Sequence, residues 1–427
     1  MQRGHANLWE ETAVAAPATP PAQGDLKADV LVIGAGYLGL SAALHLAERG
    51  VDVVVVDRHT PGSGASGRNG GQVIPGLKYD PDELETLFGR ETGERLWRFA
   101  GQTADLVFDL VARHGLEAGA RRTAWMQPAN SEATARRGQR RAEQWAKRGA
   151  PVDFLDSAQI AAVTGAEGYL GGFADRRAGS IHPLSYAREL ARAALRATAR
   201  IHERTEVKAL ARTPNGWRAQ ASRDVRISAE TVLVCTNAYS DERLIDGLGR
   251  SVVAANSLQI ATEPLAPQHR RRILPGGELA SDTRRVIRYW RLDGDGRLIM
   301  GGRGPYREPG PERDWAHLKR NIAEMFPYLG TVRFTHRWGG RVAIHPDYLP
   351  RLHAPAHGLL VAIGCQGRGI GWQTAMGREL AGLAIEPRRE PLFPFTPVRP
   401  IPFHHLKALG VSATIAAYRV LDRLGVS

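Results

Sequence analysis

The sequence predicts an α/β fold in which a discontinuous Rossmann-type domain is joined to an α+β domain that carries an antiparallel sheet. A strand–turn–helix–strand pattern with three glycines at its first turn spans residues 29–57. Two further glycine-rich loops follow at 61–76 and 364–371. Alternating residues on either side of Asp293-Gly-Asp-Gly296 indicate a β-hairpin in the second domain.

The first pattern is a βαβ unit, with a buried strand, a helix and a second strand in turn over residues 29–56. Gly34 permits the tight turn, Gly36 lets a pyrophosphate approach the backbone, and Gly39 lets the helix pack closely on the strand. The phosphates would then face the helix N-terminus, where free N–H groups and the dipole favour anions. The unit therefore predicts a dinucleotide site.

Asp57 follows the second strand directly and lies eighteen residues after Gly39. Its carboxylate is placed to accept hydrogen bonds from the adenosine ribose hydroxyls. Because the same carboxylate would repel a 2′-phosphate, the sequence disfavours NADP. FAD and NAD both satisfy this unit, so the choice between them depends on the other two loops.

The second glycine loop (residues 61–76) leaves the carboxyl end of the second strand, the edge at which doubly wound sheets bind ligands. Its six glycines would let the backbone come close to a flat ligand. A flexible linker has a similar glycine content, but Arg68, Asn69 and Gln72 make that interpretation less favoured. The loop is therefore interpreted as part of the cofactor site.

The third glycine loop (residues 364–371) follows a predicted buried strand, Leu359–Ile363, and precedes a helix predicted over 373–384. A helix N-terminus at this position would stabilise the negative charge that a reduced flavin carries near N1 and O2. The third loop favours a flavin over a nicotinamide.

Composition and charge exclude several classes of protein. The net charge is +13, but the arginines are spread along the chain, and the densest run, 135–148, is typical of a solvated helix, so no nucleic-acid partner is predicted. The two cysteines, Cys235 and Cys365, show no disulfide or zinc pattern, which suits the cytoplasm and predicts no metal site. Glycines interrupt the apolar segment 30–47, so no membrane span is expected.

Residues 29–72 resemble the amino-terminal part of the FAD-dependent D-amino-acid oxidase superfamily, and GASGRNGGQ is most similar to its gamma-glutamylputrescine oxidoreductase branch. Further segments, including RTEVKALART and AIGCQGRGIGWQTAMGRELA, extend the resemblance along nearly the whole chain. The resemblance implies a glutathione-reductase-like FAD-binding domain at 25–90, 155–245 and 335–395, with a substrate domain at 91–154 and 246–334. Residues 1–24 would be an extended arm, and 396–427 a helical tail.

The patterns and the resemblance together predict the residues that contact FAD. They are Gly34, Gly36, Tyr37, Leu38, Gly39, Asp57, Arg58, Ala65, Ser66, Arg68, Asn69, Gly70, Gly71, Gln72, Val207, Gly367, Arg368, Gly369 and Ile370. The third loop departs from the family pattern at Cys365 and Gln366. Neither cysteine is where a covalent flavin link would be expected, so FAD is predicted to be bound non-covalently.

The predicted reaction is oxidation of a C–N bond of an amine or amino acid, by hydride transfer to flavin N5 and hydrolysis of the imine. Substrates like gamma-glutamylputrescine, sarcosine or a D-amino acid are implied, with oxygen or another electron acceptor. Arg303 and Arg341 are candidates to bind a substrate carboxylate, and Tyr289 could share it. A structural ion pair is an equal alternative for each arginine.

Two other functions stay open at this point. An NAD-linked dehydrogenase would need only the first glycine turn. A non-catalytic flavin-binding subunit of a larger oxidase would use all three loops without turnover.

Overall fold

A computed structural model describes residues 7–404 and Tyr418. In this part of the chain the strands are, in order, β1 (Asp25–Ile33), β2 (Val53–Val56), β3 (Gln72–Val73), β4 (Arg121–Arg122), β5 (Trp125–Pro128), β6 (Val152–Leu155), β7 (Gly172–Asp175), β8 (Gly179–Ser180), β9 (Arg200–His202), β10 (Val207–Thr213), β11 (Gly216–Ala221), β12 (Arg226–Val234), β13 (Val253–Pro264), β14 (Leu279–Ser281), β15 (Arg288–Leu292), β16 (Arg297–Arg303), β17 (Phe334–Ile344), β18 (Arg351–Ala356) and β19 (Leu359–Ile363).

The α-helices of the same part of the chain are α1 (Leu8–Thr12), α2 (Tyr37–Ala47), α3 (Pro81–Phe88), α4 (Arg90–Gly101), α5 (Thr103–His114), α6 (Glu132–Lys147), α7 (Ser157–Thr164), α8 (Pro183–Arg196), α9 (Pro267–Arg270), α10 (Ala316–Met325) and α11 (Gly369–Ile385). None of the described helices is long and apolar enough to cross a membrane.

The first sheet contains a parallel set of strands in the order β9–β2–β1–β12–β19. The antiparallel strands β10 and β11 extend it beside the first half of β12, and β18 pairs with β19. Helix α2 makes the crossover from β1 to β2 and packs against α8 and α11. Because α2 is covered on all sides, every one of its residues is buried, as its apolar sequence requires.

The second sheet has the order β17–β13–β16–β15–β14–β5–β7–β6 and is antiparallel except where β14 pairs with β5. The predicted hairpin is β15–β16, and its turn lies at residues 293–296. Helix α10 packs on one face of this sheet, where Leu258, Trp315 and Leu318 belong to one buried cluster. The opposite face is turned towards the second glycine loop and is described below.

The expected segment boundaries of the two domains remain predictions. In two places, however, an element packs with the domain other than the one to which these boundaries assign it. Strand β17, expected in the cofactor domain, pairs along its length with β13 of the second sheet. Helix α5, expected in the substrate domain, packs on α11, because its apolar stripe of Leu106, Val107 and Leu110 belongs to the same core as α2.

The expectation of an extended arm over residues 1–24 is wrong at α1. The side chain of Asn7 accepts a hydrogen bond from the Trp9 backbone N–H and so caps this helix. Leu8 and Trp9 are both buried. The expected helical tail contains no α-helix over 396–404, and apart from Tyr418 the rest of it lies outside the described residues.

Candidate functional site

A cavity of about 1200 Å³ opens where the first sheet ends, at the N-terminus of α2. It runs from the carboxyl ends of β1 and β2, past the second glycine loop, to the middle of β17. The predicted cofactor residues that line it are Gly34, Gly36, Tyr37, Leu38, Asp57, Arg58, Ala65, Ser66, Arg68 and Val207, and Arg341 of the substrate candidates lines it too. The other predicted residues lie outside this lining.

The glycine turn between β1 and α2 cannot carry side chains at two of its positions. A Cβ on Gly34, whose φ is +111°, would lie 2.9 Å from the Cys235 carbonyl oxygen. A Cβ on Gly39 would lie 1.9 Å from the Gly34 carbonyl oxygen. Gly39 therefore allows α2 to pack directly on the turn, which explains why it is needed although it does not line the cavity.

The N-terminus of α2 is covered by the second glycine loop. Its N-cap residue, Gly36, offers no side chain, and the Tyr37 backbone N–H donates to Ser66 Oγ at 3.0 Å. The remaining amides of this helix N-terminus, together with the Ser66 hydroxyl, which can still donate its own proton, form a donor set that suits a phosphate. This end of the cavity therefore fits the pyrophosphate of a dinucleotide.

The Asp57 carboxylate lies at the carboxyl end of β2 and is held by two backbone donors. Ala35 N–H donates to Oδ2 and His59 N–H to Oδ1, each at 2.8 Å. A carboxylate has about four acceptor positions, so acceptor capacity remains for ribose hydroxyls. Val207, at the start of β10, is buried beside this part of the cavity.

Asn69 organises the second glycine loop from within. Its Nδ2 donates to the Ser66 carbonyl at 2.9 Å and to the Tyr37 hydroxyl at 3.1 Å, and its Oδ1 accepts from Gly71 N–H at 2.9 Å. Burial raises the pKa of Tyr37, so this hydroxyl remains a neutral hydrogen-bonding group. Asn69 therefore shapes the loop and does not line the cavity.

The end of the second glycine loop contacts the second sheet. Gln72 Nε2 donates to the carbonyls of Ala280 and Trp290, at 3.0 and 3.1 Å. A Cβ on Gly70 would lie 3.0 Å from the ring of Tyr289. Gly70, Gly71 and Gln72 thus join the two sheets instead of lining the cavity.

Helix α1 holds the same loop from the other side, and sequence reasoning missed it. Trp9 Nε1 donates to the Asn69 carbonyl at 2.8 Å, Asn7 Nδ2 donates to the Gly67 carbonyl at 3.3 Å, and Glu10 pairs with Arg68 at 3.2 Å. The sequence feature that could have indicated this helix is Asn7, a capping residue directly before LWEE, because acidic residues are typical of the first turn of a helix.

The third glycine loop is shorter than predicted, because α11 begins at Gly369 and not at Gln373. Gly367, Arg368, Gly369 and Ile370 do not line the cavity. The Arg368 guanidinium donates to the Pro75 carbonyl and packs on the Trp125 ring at 4.9 Å, and burial lowers its pKa to about 9.

Gln373, in the first turns of α11, lines the cavity and was not predicted. Its Nε2 is buried without a hydrogen-bond partner among the described residues. A buried donor without a partner costs about 1–3 kcal/mol, which an acceptor on a ligand would offset. The sequence feature that could have indicated it is an amide side chain within the first two turns of the helix that follows the third glycine loop.

One face of the second sheet, which we call the loop-facing side, is formed by Ser257, Gln259, Tyr289, Arg303 and Trp338. Gln259 Nε2 and Trp338 Nε1 both donate to the Arg68 carbonyl, at 2.6 and 3.2 Å. The hydroxyls of Tyr289 and Ser257 lie 2.8 Å apart. Burial raises the pKa of Tyr289 to about 12, so it stays protonated.

The structure brings Arg303 and Tyr289 together and separates Arg341 from them. The ring of Tyr289 covers Gly301, and Arg303 lies two residues further along β16, hence on the same side. Gly340 is paired with Ser257 and approaches Arg68, so the next residue, Arg341, points to the opposite face. There Arg341 pairs with Glu308 at 2.9 Å.

The cavity therefore offers polar groups that fit FAD. Helix amides and a hydroxyl lie at one end, a carboxylate follows β2, and the Nε2 of Gln373 has no hydrogen-bond partner among the residues that the structure describes. Residues 29–383 match the model of the DAO family, described as FAD dependent oxidoreductase. The chain belongs to this family.

Two curated proteins are similar to the chain over most of its length. The probable oxidoreductase OrdL of Rhizobium meliloti (strain 1021) is 33% identical over 379 residues, which cover 88% of this chain and 87% of that protein. The gamma-glutamylputrescine oxidoreductase of Escherichia coli (strain K12) is 29% identical over 401 residues, covering 93% of each chain.

Solved structures share the DAO fold. Glycine oxidase from Geobacillus kaustophilus superposes with a TM-score of 0.71 at 23% identity, covering 88% of this chain and 99% of that one. Iminodiacetate oxidase from Chelativorans sp. BNC1 superposes with a TM-score of 0.70 at 21% identity, covering 86% of this chain and 98% of that one. The predicted fold class, family, FAD cofactor and oxidoreductase activity are confirmed. An NAD-linked dehydrogenase and a non-catalytic subunit find no support.

Proposed function

We propose that the chain oxidises a C–N bond of an amine or amino acid that carries a carboxylate, as gamma-glutamylputrescine, sarcosine and D-amino acids do. Relatives named for gamma-glutamylputrescine, glycine and iminodiacetate support this substrate class. The observation that carries the proposal is Arg303, a guanidinium on the loop-facing side with no ion pair or hydrogen bond among the described residues. Burial lowers its pKa, as expected for a cation that lacks a counterion.

The residues of the chain divide into those that would hold FAD and those that would orient the substrate. FAD, when bound, supplies the two-electron acceptor for the oxidation. The N-terminal amides of α2 and Ser66 Oγ would hold the pyrophosphate, Asp57 the ribose, and Gln373 Nε2 an acceptor of the cofactor. Arg303 would bind the substrate carboxylate and the Tyr289 hydroxyl would share it.

Non-covalent attachment of FAD is part of the proposal. Cys235 lines the cavity, but burial raises the pKa of its thiol, so the nucleophilic thiolate is disfavoured there. Cys365 is buried with its Sγ 4.0 Å from the Ala343 carbonyl. Acid precipitation of the holoenzyme should leave the yellow colour in the supernatant, and colour retained on the washed polypeptide would contradict this assignment.

The experiment that tests the function is anaerobic bleaching of the bound flavin. The holoenzyme would be mixed without oxygen with gamma-glutamylated polyamines, sarcosine, glycine and D-amino acids, and with the matching amines that lack a carboxylate. The flavin absorption should fall with a carboxylated amine and much more slowly with its uncharged counterpart. A flavin that no amine of the panel bleaches would refute the proposal.

Re-admission of air, compared with an added artificial acceptor, then tests oxygen as the electron acceptor. Cytoplasmic location remains a prediction from the cysteine content.

A further inference from the structure

Residues 7–22, which we call the strap, begin at the cofactor cavity and cross α8 to the edge of the first sheet. At the first end, Asn7 and Glu10 line the cavity. Glu11 Oε2 lies 2.9 Å from Nε2 of His336 on β17, so this end also reaches the second sheet. Helix α1 therefore forms a wall of the cavity between the second glycine loop and the second sheet.

The rest of the strap is fixed by single hydrogen bonds to α8 and to the residues after β9. The Val14 N–H donates to Ser185 Oγ at 3.2 Å. Further along, Thr19 Oγ1 donates to Glu203 Oε2 at 2.8 Å. Ser185, Thr19 and Glu203 do not line the cavity. The strap is thus anchored at points that are remote from the cofactor as well as beside it.

The strap can detach without disturbing either sheet. Residues 13–24 belong to no strand, and the buried apolar side chains of the strap are those of Leu8, Trp9 and Ala22. A segment held by a few apolar contacts and isolated hydrogen bonds opens at a lower free energy than the core does. Three prolines within 17–21 keep the detached chain extended, so it loses less entropy when it docks again.

We propose that the strap opens and closes as a unit, and that FAD leaves its cavity only while the strap is open. Closed, the strap places α1 against the second glycine loop, and that loop covers the N-terminus of α2. If closure holds FAD more tightly, bound FAD must hold the strap closed by the same factor. This inference concerns retention of the cofactor, so it goes beyond the proposed function and does not depend on the substrate.

The first test compares hydrogen exchange in the apoprotein and the holoenzyme of wild-type sequence, followed by mass spectrometry. Bound FAD should slow the exchange of the backbone amides of 8–22 about tenfold, and by the same factor at both ends of the strap. The hairpin turn at 293–296, which does not line the cavity, should exchange equally in both forms.

The second test measures how fast FAD is released from variants that loosen the strap away from the cavity. Ser185→Ala removes the acceptor of the Val14 N–H, and Thr19→Val removes the bond to Glu203. Each loses one hydrogen bond and should release FAD about fivefold faster, followed by the fluorescence of free flavin after dilution of the holoenzyme.

The matched control is Thr164→Val on α7, which removes a buried hydroxyl bond to the Ile160 carbonyl at 2.7 Å. Thr164 does not line the cavity and does not contact the strap, so this variant should release FAD at the wild-type rate. An equal acceleration in this control would assign the effect to general destabilisation and overturn the proposal.

The other contrary results are equally defined. Slowed exchange confined to 8–12, with 13–22 unchanged by FAD, would refute a strap that moves as a unit. Release of FAD at the wild-type rate from Ser185→Ala or from Thr19→Val would refute control of release by the whole strap. Failure of the enzyme to oxidise any amine would overturn the proposed function and leave the strap unaffected, because both tests follow the cofactor alone.

Discussion

At the scale of single residues, Arg303 and Arg341 differ in what they contact. Arg303 lies on the loop-facing side beside Tyr289, and Arg341 pairs with Glu308, whose side chain is 76% exposed. An exposed ion pair contributes about 0–1 kcal/mol, whereas a hydrogen bond to a charged group contributes about 1.5–3 kcal/mol. The two arginines should therefore have unequal effects on the binding of an acidic substrate.

Arg303→Ala should raise the KM for a carboxylated amine about 10- to 100-fold, and Arg341→Ala less than about fivefold. Steady-state kinetics on both variants, with FAD content matched, measure the difference. A decarboxylated amine of the same length is the control, because its KM should respond to neither substitution. Equal effects of the two variants would contradict the assignment of Arg303.

At the scale of elements, helix α1 holds the second glycine loop in place through Trp9. Trp9→Phe keeps the ring in its buried position but removes the Nε1 hydrogen bond to the Asn69 carbonyl. The loss of one such bond, worth about 1 kcal/mol, should raise the Kd of FAD about fivefold, because the loop covers the N-terminus of α2. Flavin fluorescence on titration of the apoprotein measures this Kd.

The matched control is Trp217→Phe, which removes a comparable indole bond, from Nε1 to the His357 carbonyl at 3.2 Å, at a residue outside the second glycine loop and the cavity lining. Its Kd for FAD should equal that of wild type. If both variants bind FAD equally well, α1 does not contribute to the cofactor site.

The elements that could be predicted from the sequence are those whose pattern is local. The βαβ unit, the hairpin at 293–296 and the strand Leu359–Ile363 follow from apolar periodicity and turn residues. The face on which Arg303 or Arg341 lies depends on the register of β13, β16 and β17, which are distant in sequence. Trp9 could not be placed because its partner, Asn69, is sixty residues away.

At the scale of the whole molecule, the cavity is bounded by both sheets. Gly34 and Asp57 come from the first sheet, and Asn256 and Trp338 from the second. Gln72 already joins the sheets through its bonds to the Ala280 and Trp290 carbonyls. A cofactor that fills the cavity would add contacts to both sheets, so its binding free energy should stabilise them together.

FAD at 100 times its Kd should stabilise the folded protein by about 2.7 kcal/mol. For a chain of 427 residues that corresponds to a rise in Tm of about 3 °C. Calorimetry of apoprotein and holoenzyme should show the whole unfolding transition moving as one, because both sheets contact the ligand. ADP is the control, since it can occupy only the end near Gly36 and Asp57 and should shift Tm less. Two separate transitions, of which FAD moves only one, would show that the ligand stabilises a single sheet.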